Sequence, residues 1–233
     1  MAEDAVWNFA YGSNLHPEVR ERRRGLLPSA VVPAVLSDWR LSFELPGLPL
    51  VEPAMASIVP APGHEVHGLL LRFSPEQLAT LERSEGGGLF YETVQVHARS
   101  YAGERIRAVA FKARPELVVA ERPPSRRYLA LIREGARRSG LHSDYCRKLD
   151  ALPHAPAHAI AGHLGTLVLD GMAAVSRTRW HALGFRYLAW AQRMEVRGGA
   201  MSTVPGQGLV LAPLLVLGLV ARARASSSPS SDR

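Results

Sequence analysis

The stretch "NFAYGSNLHPEVRERRR", residues 8–24, joins a short apolar run to a strongly basic one through Gly12, Ser13 and Asn14. The apolar run is rich in aromatic side chains, which predicts a β-strand over residues 6–11. The basic run that follows predicts a short helix. Three small residues therefore form the connection between a strand and a helix, close to the start of the chain.

Such a turn leaves several backbone N–H groups pointing outward, where they can hold a carboxylate or an oxyanion. Gly12 lets the backbone approach a ligand because no β-carbon stands in the way. Asn14 can cap the helix, which Pro17 begins and Gly25 ends, or it can hydrogen-bond a ligand. The turn by itself leaves a structural and a ligand-binding interpretation open.

The composition is that of a globular protein with a substantial core: the chain has 233 residues, of which 47% are apolar and 21% are charged. Cys146 is the single cysteine, so no internal disulfide can form. The sequence before the first predicted strand is short and acidic, unlike a secretory signal. From these features we expect a cytoplasmic protein.

The net charge of +7 is unevenly distributed along the chain. Residues 1–150 carry 20 Lys and Arg against 18 Asp and Glu, whereas residues 151–233 carry 8 against 3. Two tight basic clusters, residues 22–24 and 137–138, lie on predicted helices beside a glycine, where cations suit the C-terminal end of the helix dipole. We interpret both as solvated helix faces and expect no nucleic-acid partner.

Strands dominate the first 150 residues and mostly follow one another directly. Further strands are predicted over residues 35–45, 54–59, 66–73, 90–98 and 106–113, with a turn at residues 60–63 between the second and the third. Ser74 is the predicted N-cap of a helix that ends at the glycine triplet, and an amphipathic helix over residues 125–139 ends at Gly140. A last short helix covers residues 144–149. This order predicts an α+β fold, a small mixed or antiparallel β-barrel with flanking helices.

We predict one domain over residues 1–150 and a C-terminal extension over residues 151–233, partly helical and apolar. The end of the extension, residues 222–233, has a composition typical of disorder. Residues 198–221 carry no charge and are flanked by arginines, which is compatible with weak membrane association. The prolines and glycines of this segment favour a soluble extension, and the sequence leaves both interpretations open.

A second polar feature is "LERSEGGG", residues 81–88, which places Glu82 and Glu85 at the end of a predicted helix. A carboxylate at this end is unfavourably placed relative to the helix dipole. Its negative charge is disfavoured there, which suits a group that must take up and release a proton. Glu82 is more simply explained as a solvated residue of the helix end.

Five blocks of the sequence, in this order and at this spacing, resemble the gamma-glutamylcyclotransferase family. They are "FAYGSNL" (9–15), "GHEVHGLLLRFS" (63–74), "LERSEGG" (81–87), "FYETVQV" (90–96) and "PSRRYLALIREGARRSGLHSDYCRKL" (124–149). The resemblance covers residues 6–149. It implies a small mixed barrel and an enzyme that converts a γ-glutamyl compound into 5-oxoproline, releasing an amino acid or an amine without cofactor or metal.

The resemblance also implies the site residues. Glu85, which directly precedes the first glycine of the triplet, corresponds to the catalytic carboxylate of the family. The residues that correspond to substrate-binding positions are Tyr11, Gly12, Ser13, Asn14 and Leu15 of the loop, together with Tyr91 and Tyr128. The chemistry agrees, because Glu85 can take a proton from the substrate's α-amine as that amine attacks the γ-carbonyl. Ring closure is intramolecular, so it requires neither Ser13 nor Cys146 as a nucleophile.

The identity of the substrate stays open because a proline-rich segment, residues 43–59, departs from the family pattern. The expected partner is a small γ-glutamyl compound. The alternatives are an enzyme that prefers γ-glutamyl-amines or a γ-glutamyl-protected metabolite, and a non-catalytic binding module that keeps the pocket. The histidine pairs 64/67 and 154/158 lack a third ligand at metal spacing, so no metal site is predicted. The oligomeric state is left open.

Overall fold

The computed structural model describes residues 5–47, 52–156 and 181–197, and in addition the four single residues 212, 213, 216 and 219. Its contacts divide the chain into two compact units. One consists of residues 1–45 and 54–155, and the other of residues 46–53 and 156–233.

The first unit is built around a closed five-stranded barrel with the strand order β1-β3-β2-β4-β5. The strands are β1 (Val6–Ala10), β2 (Ala30–Pro46), β3 (Ala54–Phe73), β4 (Tyr91–Ser100) and β5 (Arg105–Ala113). Strand β1 pairs antiparallel with β3 and parallel with β5, while β4 pairs antiparallel with both β2 and β5. The predicted α+β class, a mixed barrel with flanking helices, is confirmed.

Helices of the first unit flank the barrel. The α-helices are α1 (Pro75–Ser84), α2 (Arg126–Arg138), α3 (Ser143–Ala151) and, in the second unit, α4 (His181–Val196). The short elements are 3₁₀ turns at Ser13–Leu15 and Pro115–Leu117 and a π-helix at Glu18–Arg23. The Ser74 hydroxyl accepts a hydrogen bond from the backbone N–H of Gln77 at 3.3 Å, which confirms the predicted N-cap. At the start of α2, the Ser125 hydroxyl accepts one from the Tyr128 N–H at 3.0 Å.

The predicted turn at residues 60–63 is wrong, because β3 runs without interruption through this segment. The backbone N–H of Gly63 donates to Asp38 Oδ1 at 2.9 Å, which ties the segment to β2. Pro60 and Pro62 are exposed, and a proline is tolerated in a strand where its missing N–H is not needed for the ladder. Pairing with a distant strand therefore overrides the local turn signal.

Strand β1 closes the barrel, and its parallel contact with β5 is short, with Asn8 opposite Val109. The Asn8 side chain is 1% exposed, and its Nδ2 donates to the Val109 carbonyl at 3.1 Å. A side chain thus contributes a hydrogen bond to the contact between β1 and β5, here called the barrel seam. Because β1 is held on both sides, the chain leaves the barrel at a fixed position, directly before Gly12.

Helix α2 packs over the turn that follows β1. Leu15 is completely buried, and its carbonyl accepts a hydrogen bond from Ser139 Oγ at 3.2 Å. The apolar face of α2 is buried in the same core, with Leu129, Ile132 and Ala136 each 0% exposed. The turn is therefore fixed from the barrel side by β1 and from the outer side by α2.

In the second unit, the rings of Tyr187 and Trp190 on α4 lie 5.8 Å apart between centroids. Within the described ranges, no helix has the length and apolar character that crossing a membrane requires. The predicted disordered end, residues 222–233, lies outside the described residues. Of the segment 198–221, the structure describes only Ala212, Pro213, Val216 and Leu219. The predicted boundary at residue 150 stays a prediction.

We expect Asn8→Ala to lower the free energy of unfolding by about 1–3 kcal/mol, because the buried Val109 carbonyl loses its donor at the barrel seam. Urea denaturation followed by circular dichroism measures the change. Gln95→Ala on the exposed face of β4 is the matched control and should change stability by less than about 0.5 kcal/mol. Equal effects of the two substitutions would contradict a special role for the seam.

Candidate active site

A recess, here called the loop recess, brings together residues that are distant in sequence. It is lined by Asn8, Phe9, Ala10, Tyr11, Gly12, Ser13, Asn14, Arg24, Met55, Ala56, Glu85, Tyr91, Phe111 and Tyr128. Seven of the eight site residues implied by the sequence are in this lining. The eighth, Leu15, is a core residue that anchors the turn rather than a wall of the recess.

Glu85 is the C-cap of α1, and its backbone N–H bonds to the carbonyls of Leu81 and Glu82. Its side chain is 15% exposed. The chain then reverses at Gly86, which has φ +93, a conformation that favours glycine. A β-carbon at Gly86 would lie 2.2 Å from Phe90 Cδ2, so the position also has no space for a side chain. The glycine fixes the carboxylate at the edge of the recess.

Two donors from the first 24 residues meet on one oxygen of this carboxylate. Asn14 Nδ2 donates to Glu85 Oε1 at 3.1 Å, and Arg24 Nη1 forms an ion pair with the same oxygen. Arg24 Nη1 also donates to Ser84 Oγ at 3.0 Å. The described residues offer no hydrogen bond to Oε2, so this oxygen is available to accept a proton. The sequence left the role of Asn14 open, and the structure gives it a contact with Glu85 rather than a helix cap.

Arg24 is a site residue that sequence reasoning missed. The predicted solvated cluster is correct for Arg22 and Arg23, which are exposed, and wrong for Arg24, whose side chain is 18% exposed. The reason is the π-helix, in which the Arg24 N–H bonds to the carbonyl of Val19, five residues back. This wider turn changes the direction in which the last arginine points, and the run of three arginines before Gly25 carries no signal for it.

Three tyrosines form polar walls of the recess, and two of them bond to the backbone of Ala56. Tyr91 Oη donates to the Ala56 carbonyl at 3.1 Å, and the Ala56 N–H donates to Tyr128 Oη at 3.3 Å. Tyr11 Oη donates to the carbonyl of Phe111. Burial, reinforced by the neighbouring Tyr128 and Glu85, raises the pKa of Tyr11 and of Tyr91 well above the usual value of 10. Both phenols therefore stay neutral donors at physiological pH.

The turn itself presents unused polar groups. Its first internal hydrogen bond runs from the Leu15 N–H to the Gly12 carbonyl at 3.0 Å, so the N–H groups of Ser13 and Asn14 have no acceptor within the turn. Asn14 Oδ1 is buried and has no hydrogen-bond partner in the described part of the protein. A buried acceptor without a donor is costly unless a ligand supplies one.

A second cavity, here called the outer cavity, adjoins the loop recess and has a volume of about 320 Å³. The two share Glu85, Tyr91 and Phe111. Glu82 lines only the outer cavity, as do Arg83 and Thr93. The two glutamates of "LERSEGGG" are therefore separated, since Glu85 borders both spaces and Glu82 one of them.

The remaining candidates for chemistry lie elsewhere. Cys146 is partly buried on α3, where its Sγ lies 3.6 Å from the Leu141 carbonyl. His67 Nδ1 lies 2.6 Å from Tyr101 Oη, away from the loop recess. In the ranges that the structure describes, no three His, Cys, Asp or Glu side chains are grouped as a metal site requires.

Comparisons with known proteins agree with this arrangement. Residues 65–149 match the AIG2-like family. The chain is 30% identical over 191 residues to gamma-glutamyl cyclotransferase gliK of Aspergillus fumigatus. This alignment covers 70% of this chain and 68% of that protein. It is 32% identical over 151 residues to gamma-glutamylcyclotransferase of Bos taurus, with 62% of this chain and 77% of that protein covered.

Solved structures share the fold. An uncharacterised protein from Homo sapiens matches with a TM-score of 0.58 at 25% identity, covering 70% of this chain and 98% of that chain. A gamma-glutamyl cyclotransferase structure matches with a TM-score of 0.57 at 24% identity, covering 69% of this chain and 98% of that chain. The described first unit is thus a known barrel fold.

The raised pKa of Tyr91 predicts a pH dependence of stability. The protonated phenol is favoured in the folded state, so its contribution is fully present below about pH 10 and is lost as the pH rises through the folded value. Tyr91→Phe should make the fall in unfolding free energy between pH 9 and 11 shallower, by about 1.4 kcal/mol per pH unit at most. Urea denaturation at several pH values measures the slopes, and parallel slopes would contradict the prediction.

Proposed function

The chain belongs to the gamma-glutamylcyclotransferase family, a family of enzymes, and we propose that it cyclises a γ-glutamyl group to 5-oxoproline and releases an amino acid or an amine. The observation that carries the proposal is the Glu85 carboxylate, which borders the loop recess with one oxygen held by Asn14 and Arg24 and the other open. A side chain that must exchange a proton needs this combination of fixed orientation and one accessible oxygen.

In the proposed reaction, the α-nitrogen of the substrate attacks its own γ-carbonyl carbon. The new C–N bond closes a five-membered ring, and the amide bond to the leaving nitrogen breaks. The α-ammonium gives one proton to Glu85 before it attacks and loses a second as the C–N bond forms. The leaving nitrogen gains two, one as the amide bond breaks and one as it becomes a free ammonium, so protons balance without net consumption of water. Because both reacting atoms belong to one molecule, the protein has to hold the folded conformer, which lowers the entropic barrier.

The turn after β1 supplies the electrostatic part of the proposal. Attack on the γ-carbonyl develops negative charge on its oxygen, and backbone N–H groups aimed at that oxygen stabilise the tetrahedral intermediate. Ser13 and Asn14, whose N–H groups have no acceptor within the turn, line the recess that Glu85 also lines. We assign them this role.

The outer cavity is the proposed location of the leaving group, because it meets the loop recess at Glu85 and Tyr91. Besides Glu85, its lining has one side chain of each charge, Glu82 and Arg83. A leaving amino acid carries a carboxylate that can approach Arg83, and a leaving diamine carries a cation that can approach Glu82. The substrates to be tested therefore include compounds that release an amino acid and compounds that release a diamine.

The proposal is tested by incubating the protein with γ-glutamyl-alanine, γ-glutamyl-lysine, glutathione and a γ-glutamyl-diamine, and measuring 5-oxoproline by chromatography. We expect ring product from at least one of them. A protein that binds these compounds and releases no 5-oxoproline would instead be a non-catalytic binding module of the same fold.

We expect Glu85→Gln to lower kcat on γ-glutamyl-alanine by on the order of a hundredfold or more, because the amide cannot accept a proton. Binding should be retained, since the glutamine Oε1 can still accept hydrogen bonds from Asn14 and Arg24. Glu82→Gln is the matched control, one helical turn away and outside the loop recess, and should change kcat by less than about threefold. Similar losses in both variants, or a larger loss for Glu82→Gln, would contradict the assignment.

The recess requires a small residue at position 12 rather than a glycine-specific backbone angle, since the φ of Gly12 is −105. A β-carbon there would lie 3.4 Å from Tyr128 Oη and 3.5 Å from Ala56 Cβ, within ordinary contact distance. Gly12→Ala should therefore keep most of the activity, whereas the two methyl groups of Gly12→Val fill the recess and should abolish it. Circular dichroism checks the fold of each variant, and a fully active Gly12→Val enzyme would place the substrate elsewhere.

A further inference from the structure

A γ-glutamyl head group carries two opposite charges on one carbon, an α-ammonium and an α-carboxylate. The loop recess also carries two, because Arg24 and Glu85 are the only charged side chains among the described residues that line it. In the proposed reaction, Glu85 interacts with the α-nitrogen of the substrate. The carboxylate requires a cationic or N–H partner of its own, since a buried charge without one is strongly disfavoured.

Arg24 has N–H donors that could bind this carboxylate. Its Nη1 serves Ser84 Oγ and Glu85 Oε1. Its Nε and Nη2 groups carry three further N–H donors, and these make no hydrogen bond to any residue in the described ranges. Arginine can bind a carboxylate through two parallel N–H···O bonds, which gives both strength and orientation.

Acceptors for the ammonium are present in the same lining, on Glu85 and Asn14. Glu85 Oε2 accepts no hydrogen bond from the described residues, and Asn14 Oδ1 is buried and unpartnered. An α-amine that donates to both oxygens would give up one proton to Glu85 and keep another hydrogen bond to Asn14. This second contact holds the nitrogen in place when it becomes a nucleophile.

We propose that Arg24 binds the α-carboxylate of the γ-glutamyl substrate through its Nε and Nη2 groups, while Glu85 Oε2 and Asn14 Oδ1 bind the α-amine. The inference rests on the proposed function and extends it to the recognition of the substrate. The Arg24–Glu85 ion pair stays intact in this arrangement, so the substrate adds its two charges to a pair that is already neutral. The site therefore selects an unmodified α-amino acid head group.

A simpler role for Arg24 would be to orient Glu85 without touching the substrate. The two roles differ in how they respond to the substrate's carboxylate. An orienting residue affects every substrate equally, whereas a carboxylate-binding residue affects only substrates that have the carboxylate. A substrate that differs in this group alone separates the two.

The experiment compares γ-glutamyl-alanine with its analogue in which the α-carboxylate of the glutamyl group is a carboxamide. Alanine release gives kcat/KM for both compounds. We expect the wild-type protein to prefer the carboxylate by on the order of 10- to 100-fold, as is typical of a charged hydrogen bond. Arg24→Met should reduce this preference to less than about threefold, and Arg24→Lys, which keeps the charge without the planar fork, should retain part of it.

Arg23→Met is the matched control. Arg23 is the neighbouring residue, is exposed and pairs with Glu18 at 3.3 Å outside the recess, so its substitution should leave the preference unchanged. Thermal unfolding by circular dichroism verifies that each variant is folded. If Arg24→Met does not fold, Arg24→Lys carries the comparison. An equal loss on both substrates would overturn the proposal and identify Arg24 as an orienting residue.

A second measurement does not depend on turnover. Calorimetric titration with 5-oxoproline and with its carboxamide tests recognition of the carboxylate alone. We expect Arg24→Met to weaken binding of 5-oxoproline about tenfold or more and to leave the carboxamide unaffected. Unchanged binding of 5-oxoproline would overturn the proposal even if the enzyme is active. A wild-type protein that binds 5-oxoproline through Arg24 and produces none would contradict the proposed function and leave the recognition intact.

Discussion

The closure of the barrel at β1 determines where everything else in the first unit can lie. This five-residue strand has an antiparallel partner on one side and a short parallel contact on the other, and the buried Asn8 side chain bonds to the Val109 carbonyl across that contact. A strand held on both sides leaves no freedom in the position of the next residues. The turn from Gly12 to Asn14 therefore emerges at one defined point of the barrel, where α2 covers its outer side and buries Leu15.

A carboxylate placed at this point is electrostatically demanding. Glu85 ends α1, so it meets the unfavourable end of the helix dipole, and it is mostly covered. Arg24 and Asn14 offset both effects by binding Oε1. Breaking a largely buried ion pair by removing one partner is costly because the other charge is left uncompensated. The pair thus stabilises the site and at the same time orients the proton-accepting oxygen, so structure and proposed chemistry depend on the same contacts.

Ring closure requires a protein to hold a flexible substrate in one conformation and to transfer protons. The loop recess and the outer cavity together match what the proposed ring closure requires. The loop recess is lined by neutral tyrosines, backbone N–H groups and one ion pair, which suit a small zwitterionic head group. The outer cavity shares Glu85 with the recess, so a single carboxylate borders both the attacking nitrogen and the leaving nitrogen in the proposed reaction.

The sequence by itself determined the features that depend on neighbouring residues. Apolar alternation predicted most strands, Ser74 and Ser125 marked two helix starts, and the glycine after Glu85 marked where the helix must end. The resemblance to the family indicated which of two nearby glutamates is the candidate catalytic carboxylate. The tertiary structure decided the features that depend on distant contacts. The tie between Gly63 and Asp38 carries β3 through a segment that reads as a turn, and the π-turn at Arg24 joins residues 61 positions apart at Glu85. Local propensity cannot report such pairings, because their free energy comes from partners that are adjacent only after the barrel has closed.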